Sequence, residues 1–364
     1  MVRERMFMLT GDMYGAGAHA VEDAVGLGQQ LHRIAVSVFE HQSYAYDPFL
    51  ESYCGNLRDP LASVKLAVHV ADLLDLAGVD VSGKAVLDVG CGFGFALVLC
   101  GLLGAEQLHG LEIHEGMIRT IGSYRHLLPS PIQQHLYISR GDAARMPYEA
   151  ARFDAILSIE AVSHYLEVGR FAAEAARVLK PGGVLIVSDG NNGMNPFIRR
   201  RNHRIWAAFE RGPSDRFVDN YPVGTCYEER RRAFIDKRCP QMGESDRARL
   251  ARETFSMTFD QVAEACDCFL ERGVFPGRRF RRGAMPIDPD GSVPERLLHP
   301  YRLARALELC GFEAQVYGYW GGANGRPVVR ALNRSLMRLS TVTICSARAV
   351  RVVGVKREGA PSGA

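Results

Sequence analysis

Nowhere does the chain sustain the ~18 consecutive apolar residues that a membrane-spanning helix needs, so no such helix is expected. Its opening residues, Met1-Val2-Arg3-Glu4-Arg5, are charged and no apolar stretch follows them, so no secretory leader is expected. Cysteine is thinly spread: nine residues with no C-x-x-C pair, the nearest two being Cys266 and Cys268. That pattern fits reduced thiols in a cytosol and argues against a structural zinc site. Charge of one sign is lacking too. With 44 Lys and Arg against 41 Asp and Glu, the net charge is only +3, which gives no global reason to expect nucleic acid as partner. No internal repeat is visible. What remains is 364 residues at 47% hydrophobic and 23% charged content, enough for a full core and a second substantial element.

One stretch organises the rest. Val86-Leu87-Asp88-Val89 is a short apolar run holding an acid, and Gly90-Cys91-Gly92-Phe93-Gly94 places glycine at every second position. Helical apolar sequence starts at Phe95. The pattern predicts a buried parallel strand, a tight turn that needs residues without Cβ, and a helix whose N-terminus faces a ligand. Dinucleotide sites favour G-x-G-x-x-G, which seats a pyrophosphate on the helix N-terminus. Here the third glycine comes one residue early, at Gly94, and Asp88 would repel a phosphate. A cationic or zwitterionic ligand with an adenosine suits the loop better. At this point the sequence resembles the class I S-adenosylmethionine (SAM)-dependent methyltransferases, whose first motif is this acid followed by G-x-G-x-G.

Strands and helices alternate from residue 85 to about 189 at the lengths of a doubly wound sheet. The second strand, Gln107 to Ile113, carries Glu112 about 20 residues beyond the glycine loop, where a carboxylate can accept from two ribose hydroxyls. A third strand, Leu136 to Ser139, precedes Gly141-Asp142-Ala143, and the resemblance assigns Asp142 to the adenine amine. After the fourth strand, Phe153 to Ser158, comes Ile159-Glu160-Ala161-Val162-Ser163-His164. Many methyltransferases acting on nucleic-acid, protein or glutamine nitrogens carry N/D-P-P-Y/F here; this chain does not, and so resembles the small-molecule branch that includes quinone, sterol and natural-product enzymes. Leu179-Lys180-Pro181-Gly182-Gly183 is read as the turn into a fifth strand, Val184 to Asp189.

The expected fold is α/β, a Rossmann-like doubly wound seven-stranded sheet with an N-terminal helical segment and a helical lid insertion. The domains read as an N-terminal helical segment (1–80), a SAM-binding core (81–190), the insertion (191–298), the remainder of the core (299–356) and a disordered tail (357–364). Residues 1 to about 20 are expected to be a mobile arm. Helices are expected over Val21–Phe39 and over Pro60–Ala77, the latter with Asp59 as N-cap. Tyr44, Tyr46 and Tyr53 are candidates for the entrance to the site or for packing of the N-terminal cap. The insertion holds 20 Lys plus Arg against 16 Asp plus Glu, with helices expected near Phe197–Glu210, Glu228–Lys237, Asp246–Glu253 and Phe259–Arg272. It is read as covering the carboxyl end of the sheet. Its arginine clusters are either an anion-binding element for the substrate or a solvated face balanced by acids. Beyond it come a helix over Arg302–Leu309 capped by Gly311, a strand from Ala314 to Tyr319, helical sequence over Arg326–Leu339, and a last strand from Ala349 to Val355. In the resembled family the final two strands form an antiparallel edge.

What the resemblance implies is transfer of a methyl group from SAM to a small organic acceptor, with O-methylation favoured over N- or C-methylation; an anionic group on the acceptor is what the arginine clusters of the insertion could bind. Cofactor contacts fall on Asp88, Gly90, Cys91, Gly92, Gly94, Glu112, Ile113, Gly141, Asp142, Ala143, Ser158 and Glu160. His164 is the candidate base, since imidazole exchanges protons near neutral pH, and Asp189 is the candidate to orient it or to hold the substrate. No metal is called for. A homodimer in the cytosol, without nucleic acid or membrane, is the expected setting. Two rival readings are a SAM-binding pseudoenzyme or partner subunit without turnover, and a nicotinamide oxidoreductase.

Overall fold

A computed structural model describes residues 19–41, 46–219, 221–292, 294–321, 332–333, 335–337 and 339–359. The N-terminal arm to residue 18, Tyr44, most of the helix expected over 326–339, and the tail from 360 lie outside these residues. The first compact unit comprises the residues up to Gly190 together with those from His299, and the second is Asn191–Leu298.

In the first unit the elements follow as α1 (His19–Glu40), α2 (Phe49–Cys54), α3 (Pro60–Leu76), β1 (Ala85–Val89), α4 (Phe95–Leu102), β2 (Gln107–Glu112), α5 (Glu115–Tyr124), α6 (Ser130–His135), β3 (Leu136–Arg140), β4 (Phe153–Ile159), α7 (Val168–Val178) and β5 (Leu179–Asp189). The second unit supplies α8 (Pro196–Arg211), β6 (Arg216–Val218), β7 (Tyr221–Val223), α9 (Tyr227–Arg238), α10 (Glu244–Glu253) and α11 (Phe259–Arg272). The first unit resumes with α12 (Pro300–Leu309), β8 (Phe312–Tyr319), α13 (Ser340–Thr343) and β9 (Ala349–Lys356).

Seven strands form one sheet in the order β3-β2-β1-β4-β5-β9-β8. The five strands from β3 to β5 run parallel, and β9 pairs antiparallel with both β5 and β8. The apolar runs are continuous because these strands are covered on both faces: all five residues of β1 are buried. Chain reversal of strand order at β1 and β4 leaves a crevice at their carboxyl ends, where open α/β sheets bind ligands. The reading of Lys180 to Gly183 as a turn before β5 needs one correction. Phe153 already pairs with Leu179 and Ala155 with Val184, so these four residues are a bulge inside β5, with Gly182 at φ 74° supplying the kink.

One face of the sheet packs against α1, α3 and α4. Asp59 caps α3 by accepting from the Leu61 amide at 2.9 Å. Gly28 lets α1 lie against α3: a Cβ there would come within 2.5 Å of the Val64 Cα. A polar cluster ties α3 to the sheet edge. Arg351 on β9, fully buried, donates to Asp72 at 3.0 Å and contacts His69 Nδ1 at 3.3 Å, while its guanidinium stacks 3.9 Å from the Tyr319 ring. Burial and then the Arg351 charge push the His69 imidazole down to about 3, so it stays neutral.

The second unit has its own apolar centre, built from Ile235, Cys239, Met242, Leu250, Val262 and Cys266. Arg231 and Glu210, both fully buried, form an ion pair between α9 and α8, and the Arg231 guanidinium also reaches the Ala251 carbonyl. Thr258 and Gln261 form a capping box at the start of α11. Replacing Thr258 with alanine is expected to cost about 0.5–2 kcal/mol, read as a lower midpoint in a denaturant titration of the unit. The two ends of the unit are clasped together. The Leu298 amide donates to the Asn191 carbonyl at 2.8 Å, and the Gly193 amide donates to the Leu298 carbonyl at 2.8 Å.

Candidate active site

Where β1 ends, the chain turns through three left-handed glycines: Gly90 at φ 73°, Gly92 at 54° and Gly94 at 74°, the last being the N-cap of α4. The turn is pinned from β2, because the Leu111 carbonyl accepts from the Gly90 amide at 2.8 Å and from the Cys91 amide at 3.2 Å. Gly90 is also a point of close approach. A Cβ there would lie 2.6 Å from the Ala161 Cβ and 3.2 Å from the Tyr165 hydroxyl. Gly90→Ala is therefore expected to destabilise the fold by at least about 1–2 kcal/mol from backbone strain alone. A thermal melt checks this, with weaker cofactor binding as the companion readout.

Glu112 ends β2 and holds the turn from the other side. Its Oε2 accepts from the Gly92 amide at 2.9 Å, while Oε1 accepts from the Ile113 and His114 amides at 2.8 and 2.9 Å. A carboxylate has about four lone-pair sites, so one remains for an incoming hydroxyl. Asp88 is the unusual group. It is buried, and its Oδ1 has no hydrogen-bond partner among the described residues. Burial first, and then the nearby Glu112 charge, raise its carboxyl to about 7. Two acids beside an open glycine turn repel phosphate and suit a cation.

Ile113, directly after Glu112, is 64% exposed, an apolar side chain left uncovered beside the acid. On the next strand end the Gly141 amide donates to the Glu112 carbonyl at 3.0 Å. Asp142 is exposed and spends Oδ1 on the Ala144 amide, forming an Asx turn, and Ala143 is buried. Cys91 contributes its backbone; its side chain is buried against Gly110, where a Cβ would come within 2.7 Å of the sulfur. From the N-terminal segment, Tyr53 reaches the turn, its ring 6.4 Å from Phe93 and 5.6 Å from Phe49. Tyr46 instead packs toward the core with its hydroxyl buried.

Around β4 and β5 the groups are tied to one another. Ser158 is buried and its hydroxyl meets the Val89 carbonyl at 3.2 Å and the Tyr165 hydroxyl at 2.8 Å. Glu160 sits at φ 51° and accepts from the Gly190 amide at 3.0 Å. Asp189 is buried and accepts from the Ser163 amide at 3.0 Å. That bond fixes the turn Val162–His164, on which His164 stands exposed. Sequence reasoning missed Tyr165. Its hydroxyl donates to the Val89 carbonyl at 2.7 Å and closes the end of β1. The only signal was its position one residue beyond His164; the contact itself depends on β1 and β4 being neighbours.

Residues 87–187 match the family described as "Methyltransferase domain". A phthiotriol/phenolphthiotriol dimycocerosates methyltransferase of Mycobacterium ulcerans (strain Agy99) is 40% identical over 112 residues, 30% of this chain and 39% of that protein. The corresponding enzyme of Mycobacterium tuberculosis (strain ATCC 25177 / H37Ra) is 38% identical with the same coverage. Methyltransferase GfsG of Streptomyces halstedii is 29% identical over 188 residues, 49% of this chain and 60% of its own. The chain thus spans about two fifths of the two mycobacterial relatives and under two thirds of the third. The glycine turn, the orphaned acid and the strand-end carboxylate all fall within the matched segment, so the likeness to a methyltransferase domain rests on residues 87–187, which carry the candidate site.

Proposed function

We propose that the protein transfers a methyl group from SAM to a small organic acceptor, with an oxygen as the preferred site. The orphaned carboxylate of Asp88 carries this reading. A buried acid without a donor is costly, and the ammonium of the methionine part of SAM is a partner of the right charge. Glu112 would take one ribose hydroxyl with its remaining acceptor site and Asp142 the adenine amine, with Ile113 offering apolar surface to the ring. When bound, SAM supplies an electrophilic methyl on a sulfonium.

The work left to the chain is to hold the acceptor in line and to exclude water, which is worth up to ~7–11 kcal/mol. His164, exposed on a turn that Asp189 holds through the Ser163 amide, would be the base that takes the proton of an alcohol or phenol. Relatives named for phthiotriol and phenolphthiotriol dimycocerosates support oxygen, because a triol offers hydroxyls. The insertion 191–298 is proposed as the acceptor-recognising part, since the chain enters it directly from Asp189 and Gly190 at the end of β5. A cytosolic setting fits the unpaired thiols.

Calorimetric titration with SAM, its demethylated product and NAD tests the cofactor, and incubation with labelled SAM and small-molecule extracts tests turnover. Binding of SAM and its product, with label transferred to an extracted alcohol or phenol, is expected. NAD binding without SAM binding would overturn the proposal, and SAM binding without any transfer would reduce it to a pseudoenzyme.

A further inference from the structure

α8 has an exposed face without acid. Phe197, Arg200 and Arg204 follow at three- and four-residue spacing and share one stripe. Arg199 and His203 form the next. The single acid of the helix, Glu210, is turned inward to Arg231. Phe197 stands 82% exposed at the N-terminal end. Two neighbours extend this face. Arg204 binds Asp219 at 2.8 Å, which brings the β6–β7 hairpin and its 77% exposed Phe217 alongside. Gly283 lies against the His203 ring, where a Cβ would come within 3.0 Å, which places Arg282 beside the helix.

Several other arginines of this unit are compensated. Arg230 pairs with Asp288 and Asp290, Arg232 with Asp236 and Glu244, and Arg279 with Glu253. Arg199, Arg200, Arg216 and Arg282 have no carboxylate at ion-pair distance among the described residues, and the hairpin offers only Asp215 besides the engaged Asp219.

We propose that this arginine face, with Phe197 and Phe217 as apolar anchors, docks the protein peripherally onto an anionic lipid surface. Uncompensated arginines attract acidic headgroups, and protruding phenylalanines enter the boundary between headgroups and acyl chains. Stable attachment needs both signals, and α8 with the hairpin tied to it by Arg204 and Asp219 carries both. Nucleic acid would meet the same charge, but it does not require two isolated rings standing out into solvent. No helix among the described residues is long and apolar enough to cross a membrane, so contact would be at the surface. The inference goes beyond the methyltransferase reading and does not depend on it.

Co-sedimentation of the full chain with vesicles tests it, using phosphatidylcholine alone or mixed with phosphatidylglycerol. Binding is expected only to the mixed vesicles and should weaken as salt rises. The double variant Arg199→Gln/Arg200→Gln is expected to lower partitioning about 25-fold, roughly fivefold per charge. Phe197→Ser/Phe217→Ser should lower it at unchanged charge, and an unaltered far-UV spectrum verifies that both variants fold. Equal binding to neutral vesicles, unchanged partitioning in either variant, or capture by an RNA oligonucleotide that anionic vesicles do not compete for would overturn the proposal. Because neither SAM nor acceptor is present, failure here leaves the proposed methyl transfer intact.

Discussion

Asp88→Asn is expected to weaken SAM binding more than 100-fold while making the unliganded protein more stable above neutral pH. The loss follows from removing one partner of a buried charge pair, about 3 kcal/mol or more. The gain follows from linkage. In the folded protein the carboxyl is raised to about 7 from 3.8, so between these values the folded state holds a proton that the unfolded state has released. Stability contributed by this group is therefore present at low pH and falls as pH rises from about 4 to 7. Asparagine carries no such slope. Titrating variant and parent with SAM, and melting both at pH 5 and pH 8, reads the two effects separately. A carboxylate kept for structure would behave the other way, and a variant that binds SAM normally would remove Asp88 from the cofactor site. The opposing signs are what a residue retained for a ligand at the expense of the fold should show.

At His164 the expected effect lies on turnover. His164→Ala should reduce kcat at least 100-fold at neutral pH, the usual scale of a general base, with SAM affinity unchanged because the residue stands beyond the glycine turn. Raising the pH should restore part of the rate, since an acceptor already ionised needs no base. The turn itself should survive, because Asp189 grips it through the Ser163 amide. Kinetics of the variant across pH, alongside a SAM titration, provide the test; full turnover at neutral pH would make His164 structural.

Much of the sheet was legible because each strand of the parallel core is an apolar run ending in a recognisable turn. Asp59 as a cap, Gly90 to Gly94 as a tight turn and Glu112 as a strand-end acid could be placed from spacing alone, since each depends on nearby sequence. The bulge at Lys180 to Gly183 was not legible: Pro and two glycines read as a turn, and only the pairing of Phe153 with Leu179 shows the strand starting earlier. The β6–β7 hairpin was missed for a similar reason. It is short, and Arg216 and Phe217 are both exposed, so no alternation of polar and apolar residues marks it. Ser158 and Tyr165 close on Val89 from nearly 70 or more positions away, a contact that needs the strand order.

The arginine triplets are the clearest case. Arg199-Arg200-Arg201 and Arg230-Arg231-Arg232 look alike in the sequence. In the fold the second triplet is matched residue by residue, with Arg231 buried against Glu210, whereas Arg199 and Arg200 face outward beside an exposed phenylalanine. Net charge averages over both and so conceals the difference.

The clasp between Asn191 and Leu298 has a bearing on how such a chain can be rebuilt. A segment whose entry and exit strands are bonded to each other is a cassette: it can be removed, lengthened or exchanged without stretching the polypeptide on either side. Joining Gly190 to His299 through a short glycine linker should leave the seven strands paired, and a foreign segment with similarly close ends could be spliced in its place. Under the proposed function, acceptor preference would then diversify by recombination at two adjacent peptide bonds, while the glycine turn and its strand-end acids are inherited unchanged.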